Sequence, residues 1–431
     1  MKLDNKGFAL SSIVYSILIL FILLIFCVLS ILGSRKLLLD KTRNAVLEQL
    51  QQENNKLYKD SSGANVPELL DGMIPITYAN NKWIVASLED EWYNYGNKEW
   101  ANAVVLKEGF SKNIGDDVKE DEIALWYVWI PRFKYTLFNT NGSSYKNCTS
   151  STCPIINVEF EKGIKTTGTV SCIQDLDSTL NKTEICTDIN GSITNNTSTY
   201  THPAFTLGDK ELTGFWIGKF ETSGTASKIT ILPNKTPLTL SNKDDIVSEW
   251  FNLVKDLETR YNLNGDSHMI KNIEWGAVAY LKQSKYGLGK TDIVKNGVGK
   301  TGYGINNAST NYYSATEGMK ASTTGNIYGV YDMAGGYYEF VMGTIDDVTI
   351  DKKYVDMYNS SNSNKLGDAI IETSKFYSDY SSSFTSNKMW YIRGTVYATI
   401  SNYPGIFAYH TSTPNYDTLN ANITTRAILT K

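Results

Sequence analysis

The stretch Gly329-Val330-Tyr331-Asp332-Met333-Ala334-Gly335-Gly336-Tyr337-Tyr338-Glu339-Phe340-Val341 sets two acids on either side of a pair of glycines. Glycine adopts positive φ without steric cost, so Gly335-Gly336 permits a tight turn. Around such a turn Asp332 can cap the backbone and Glu339 can bond to loop amides. Outward from it, the chain beyond Pro67 consists of short strand-like runs broken by turns. Examples are Lys82-Trp83-Ile84-Val85, Ala103-Val104-Val105-Leu106 and Leu125-Trp126-Tyr127-Val128-Trp129-Ile130-Pro131. Two helices are predicted later. Residues 244–261 carry Ile246, Val247, Trp250, Phe251, Val254 and Leu257 at helical spacing, and residues 271–283 contain Trp275, Ala279 and Leu281. Residues 287–304 hold six glycines and read as a flexible surface loop.

Taken in order, several segments resemble the formylglycine-generating-enzyme family, whose domains have a C-type-lectin-related fold. Trp129-Ile130-Pro131-Arg132-Phe133-Lys134-Tyr135 is similar to its opening strand, and Gly214-Phe215-Trp216-Ile217-Gly218-Lys219-Phe220-Glu221 to its Trp-Ile-x-Lys-x-Glu strand. Asn272-Ile273-Glu274-Trp275-Gly276-Ala277-Val278-Ala279-Tyr280 loosely follows its Glu-Trp-Glu-Tyr-Ala helix. The stretch at 329–341 is the best match, similar to Gly-x-x-Asp-Met-Ala-Gly-Asn-x-x-Glu-Trp. Tyr391-Ile392-Arg393-Gly394 stands where the family has Arg-Gly-Gly-Ser, and Thr425-Arg426-Ala427 where it ends in Phe-Arg.

The family's oxidase chemistry does not carry over. It uses a cysteine pair near the C-terminus to bind copper, and this chain has no cysteine after Cys186. A thiolate copper site needs thiols, so no copper or redox cofactor is expected. The resemblance does imply a structural calcium ion, held by the side chains of Asp332 and Glu339 and the backbone oxygens of Gly335 and Tyr337. Lectin-like relatives of the fold, including the variable proteins of diversity-generating retroelements, display binding residues before the last strand. Here that segment is 395–424, with Tyr397, Asn402, Tyr403, Tyr409, His410, Asn415, Tyr416, Asn420 and Asn422 as candidates. Gly405-Ile406-Phe407-Ala408 is expected as the inner strand that holds them. Tyr rings with Asn amides can grip a glycan or a protein without any reaction.

At the other end, Lys6-Gly7-Phe8 opens a run without a charged side chain over residues 8–34, longer than the roughly 20 apolar residues that cross a bilayer as helix. A polar helical pattern continues to about Tyr58. This arrangement resembles type IV prepilins and type II secretion pseudopilins, whose leader is cut between a glycine and a phenylalanine, here Gly7 and Phe8. The resemblance implies a prepilin peptidase as partner, methylation of the new N-terminus, and other pilin-like subunits as neighbours. Ser12 stands where that family has a glutamate, which argues against a repeating major subunit. An uncleaved signal anchor is the alternative.

The organisation expected is a leader at 1–7, a membrane-spanning and amphipathic helix at 8–58, a linker at 59–71, and a head at 72–431 with an insertion at about 139–200. The fold class expected is therefore α+β: a long pilin-like transmembrane helix, then a lectin-related head of short strands and a few helices. Residues 8–33 would anchor the chain as a single-pass protein of a bacterial cell membrane, with the head extracellular. Four of the five cysteines, Cys148, Cys153, Cys172 and Cys186, cluster in the insertion. Outside a cell they read as two disulfides, and of three connectivities Cys148–Cys153 with Cys172–Cys186 is preferred. A zinc site is the rival, without a Cys-x-x-Cys pair to support it.

The net charge is −4, with Lys and Arg scattered among a similar number of acids, so nucleic acid is not an expected partner. Aromatic residues make up 12%, dominated by 28 Tyr, a composition suited to recognition surfaces and to strands alike. No nucleophile signature accompanies His202, His268 or His410, so no enzyme is expected. The function expected is that of an adhesin, a minor or tip pilin-like protein whose head binds a ligand. The alternative is a pseudopilin-type assembly component.

Overall fold

Ile123–Pro131 is buried at every one of its nine positions, and its sequence IALWYVWIP is correspondingly apolar on both faces. In the computed structural model of the chain it lies at the centre of an antiparallel seven-stranded sheet. The strand order is Asp266–Met269, Ala427–Thr430, Gly214–Gly218, Ile123–Pro131, Asn102–Leu106, Met73–Ala79 and Lys82–Val85. Register sets Trp216 opposite Trp129 on one side and Val104 opposite Trp126 on the other. The described residues are 56–136, 155–168, 171–176, 182–187, 193–194, 199–240, 245–345, 348–358, 365–370, 377, 379, 389–397, 405–414 and 422–431. Residues 58–431 form one compact unit.

A second, smaller sheet runs Asp356–Met357, Tyr338–Thr344, Trp390–Arg393 and Tyr409–Ser412, and Ile423–Thr425 pairs parallel to Tyr338–Thr344. Ile423–Thr425 belongs to this sheet and Ala427–Thr430 to the larger one. The chain therefore passes from one sheet to the other at a single residue, the buried Arg426.

The helices fill in around the sheets. Ile246–Lys255 starts at Asp245, whose side chain accepts from the Ser248 amide at 3.0 Å, and buries Ile246, Val247, Trp250 and Phe251. The helix expected over 244–261 breaks at Asp256, and Leu257–Arg260 follows as a separate turn. Asn272–Lys282 is buried along its whole length. Gly276 makes that possible: a Cβ there would lie 1.9 Å from the Gly367 carbonyl oxygen.

Two expectations are corrected. The described residues are dominated by β-sheet, and their α-helices are 10, 4, 11 and 4 residues long. At 1.5 Å per residue the longest reaches roughly 16 Å, about half a bilayer's hydrocarbon thickness. It is also lined with Asn272, Glu274 and Lys282, which bond inside the protein. Among the described residues no helix is long and apolar enough to cross a membrane. This overturns the α+β reading with its pilin-like transmembrane helix and single-pass membrane location; residues 8–33, with Gly7 and Phe8, lie outside the described residues. The disulfide framework is corrected likewise, since no disulfide is found among the described residues. Cys148 and Cys153 lie outside them. Cys172 and Cys186 are in register on the hairpin strands Ser171–Leu176 and Lys182–Thr187, which backbone pairing joins.

Candidate functional site

The turn at 332–339 is built as the two glycines demand. Asp332, Gly335 and Gly336 have φ of 63°, 80° and 75°. Asp332 does not cap its own turn. Its carboxylate accepts from the Gly302 amide at 2.9 and 3.1 Å and from Asn296 Nδ2 at 2.9 Å, so it staples the 296–302 segment to the turn. Glu339 does not bond to loop amides either. Both its oxygens accept from Arg426, from Nη2 at 2.6 Å and Nε at 3.0 Å, and Arg426 Nη1 donates to the Gly218 carbonyl at 2.8 Å. Bidentate geometry of this kind is the strong form of a charged pair.

The loop leading into the turn is held from the segment after Gly214–Gly218. Lys219 is fully buried and donates to Asn102 Oδ1, the Ile327 carbonyl and the Gly329 carbonyl at 2.9, 2.7 and 3.0 Å. Its ammonium also sits 5.3–5.4 Å from the ring centres of Trp83, Trp126 and Tyr331. Glu221 accepts from the Tyr337 amide at 2.7 Å through Oε1, while its buried Oε2 has no hydrogen-bond partner. Gly336 lies flush against this carboxyl: a Cβ there would fall 2.5 Å from Oε1.

Burial dominates the electrostatics. It pushes the Glu221 pKa well above the ordinary 4.5, reinforced by the carboxylates of Asp332 and Glu339. It lifts Asp332 to about 6, against the opposing pull of Arg426 and the Gly302 amide. Burial would lower the Arg426 pKa, but the Glu339 carboxylate outweighs it and keeps the guanidinium charged. Lys219 is pushed well below its usual range by burial.

Beside this turn lies a cleft of about 360 Å³, lined by Ile293, Val294, Lys295, Asn296, Gly297, Ile305, Gly335, Val396 and Tyr397. Its floor is a backbone bridge: the Asn296 amide donates to Ala334 and the Gly336 amide to Asn296. The Tyr397 amide donates to the Gly336 carbonyl at 2.7 Å, and its ring stacks on Tyr337 at 5.9 Å between centroids. Ile305 stands 65% exposed at the rim, unusual for a large aliphatic side chain. The glycine-rich segment 287–304, read from sequence as a loose loop, thus forms the floor and part of the walls, with Asn296 buried.

Of the predicted ligand residues, Tyr397 lines the cleft. Tyr409 is buried instead, edge-on to Tyr391 at 5.9 Å, and its strand Tyr409–Ser412 begins where the expected inner strand at 405–408 should end. Residues 405–407 form a turn instead, in which the Ala408 amide donates to the Gly405 carbonyl at 3.1 Å and the Phe407 amide donates to the Asp379 carboxylate at 3.0 Å. His410 is half-buried, and burial lowers its pKa. Asn402, Tyr403, Asn415, Tyr416 and Asn420 lie outside the described residues. Of the calcium set, the carboxylates of Asp332 and Glu339 already have partners. The carbonyls of Gly335 and Tyr337 lie close to Gly394, 3.8 and 3.7 Å from where its Cβ would be.

Sequence reasoning assigned no role to Lys219, Glu221 or Arg426. The usable signal was a charged residue embedded in an otherwise apolar run, which inside a core must be paired or bonded. His202 and His268 are core residues. His202 sits among Phe133, Tyr135, Phe205 and Tyr280, and burial lowers its pKa to about 3. His268 bridges Asp266 and Glu274 at 3.0 and 2.9 Å.

No family model and no curated protein matches this chain. Among solved structures it is similar to PvdO from Pseudomonas aeruginosa, at 12% identity and a TM-score of 0.31 over 71% of this chain and 95% of that one. It is also similar to variable protein 1 from Treponema denticola, at 11% identity and a TM-score of 0.28 over 71% and 96%. Likenesses this distant carry no argument about what the chain does.

Proposed function

We propose that residues 58–431 are a non-catalytic recognition module of the formylglycine-generating-enzyme-like, lectin-related kind, which takes its ligand in the cleft beside Tyr397. The cleft's position carries this reading, because it opens where the segment expected to present binding residues begins. The wall chemistry favours an apolar or aromatic group, as a protein or peptide would present, over a bare glycan. The side chains of Ile293, Val294, Ile305 and Val396 are aliphatic and carry no polar atom. The Asn296 side chain is spent on the Lys300 carbonyl, Asp332 and the Val298 amide. The non-catalytic part of this reading leans on the commitment of Lys219, Asp332, Glu339 and Arg426 to internal partners and on the burial of His202 and His268 in the core.

The test is selection of binders by the full chain from a peptide library, with a glycan array in parallel. Selected peptides should lose at least about tenfold in affinity on Tyr397→Ala and on Ile305→Asp, roughly 1.4 kcal/mol. Binders indifferent to both substitutions would move recognition elsewhere. Glycan hits that depend on Tyr397 would overturn the apolar preference while keeping the cleft.

A further inference from the structure

The turn at 332–339 is where the resembled family implies calcium, yet its donors do not fit that ion. Calcium takes six to eight oxygens at roughly 2.3–2.6 Å. Glu339 gives both oxygens to Arg426 in a fully buried bidentate pair. Asp332 gives both of its own to the Gly302 amide and one also to Asn296. The nearby Glu221 carboxyl lies against Gly336 and holds the Tyr337 amide. Among the described residues no group of three or more His, Cys, Asp or Glu could hold a metal.

We propose that this turn is assembled without a metal ion, and that the Arg426 guanidinium supplies the cation on which it is built. The location of Arg426 is what suits it to that role. It stands at the one residue where the chain leaves Ile423–Thr425 in the smaller sheet for Ala427–Thr430 in the larger. From there it bonds Glu339 of the smaller sheet and the Gly218 carbonyl of the larger. A spherical ion would hold the turn alone. The planar guanidinium, delivered by the backbone, holds the turn and joins both sheets. It is part of the covalent chain, so chelation cannot remove it.

The test uses the full chain, melted in excess EDTA and again in millimolar CaCl2, with calorimetric titration of CaCl2 alone. The midpoints should agree within about 1 °C, a shift that linkage reserves for an ion without appreciable affinity for the folded state. The titration should show no saturable heat. A calcium-dependent rise of about 5 °C or more would overturn the proposal. So would saturable binding that Glu339→Gln or Asp332→Asn abolishes. A double-mutant cycle reads the pair itself: Arg426→Gln and Glu339→Gln should each lower the midpoint by about 5 °C or more, and the double variant by less than their sum. Additive losses would count against the pair. If Arg426→Gln does not fold, the calcium measurements on the native chain decide alone.

Discussion

Lys219 and Glu221, two residues apart in the bend that follows Gly214–Gly218, grip opposite ends of the same loop. Lys219 holds the carbonyls of Ile327 and Gly329, and Glu221 holds the amide of Tyr337. The loop between them carries Asp332 and the glycine pair, and ends at the floor of the cleft.

Replacing the cation of this grip should be expensive. Lys219→Met keeps the hydrophobic stem but strips two buried carbonyls of their donor, each loss costing about 1–3 kcal/mol. Relief of a buried charge offsets part of this. We expect a net loss of roughly 2–4 kcal/mol in urea denaturation. A loss below about 0.5 kcal/mol would show the ammonium to be dispensable.

Glu221 should reveal itself through pH. Its folded pKa is raised, so the stability it contributes is complete below its unfolded value of 4.5 and is lost as pH climbs through the folded one. Glu221→Gln retains the acceptor for Tyr337 and does not titrate. The stability of the native chain relative to this variant should therefore fall as pH rises above 4.5. A gap that stays constant up to pH 8 would refute a proton on Glu221.

His268 titrates with the opposite partner chemistry. Burial would lower its pKa, but Glu274 and Asp266 outweigh that and raise it to about 9. The imidazolium's contribution is thus full below the unfolded value of 6.5 and disappears as pH rises through about 9. Over that window the native chain should lose about 3 kcal/mol that His268→Gln does not lose, measured by denaturation at stepped pH. Parallel curves for the two proteins would contradict the ion-paired histidine.

Gly336 should tolerate no side chain. Gly336→Ala places a methyl group 2.5 Å from Glu221 Oε1 at a φ of 75°. A loss of about 3 kcal/mol or more is expected, from clash and backbone strain together. Adding Glu221→Ala removes the clash but not the strain, so the double variant should recover only part of it. Full recovery would mean that strain contributes nothing.

Much of this was legible from the chain. The aromatic strand at 123–131, the helix at 272–282 and the tight turn at Gly335-Gly336 follow from patterns a few residues long, where local sequence and final environment agree. What escaped depends on partners far away in sequence. Nothing near Glu339 announces Arg426, and nothing near Phe407 announces the Asp379 carboxylate that accepts from its amide in the turn at 405–407. The glycines at 287–304 misled for a related reason. They read as chain freedom, whereas Gly297 and Gly299 permit close approach: a Cβ on Gly297 would lie 2.2 Å from the Ile305 carbonyl oxygen, and one on Gly299 3.1 Å from the Tyr397 ring. The cleft is thus made by contacts between segments, only one of which looked like a binding element.

The pairing of Gly214–Gly218 with Ala427–Thr430, which sets Trp216 opposite Leu429, also governs how the fold is reached. Those residues stand half a chain apart, and a loop of that length must close before the strand beside the central one gains its partner. Closure entropy is spent before the contact repays it, which slows folding. Meanwhile the edge of a wholly apolar strand waits uncovered, open to pairing with another copy. Refolding from denaturant should be slow and should yield less native protein as concentration rises.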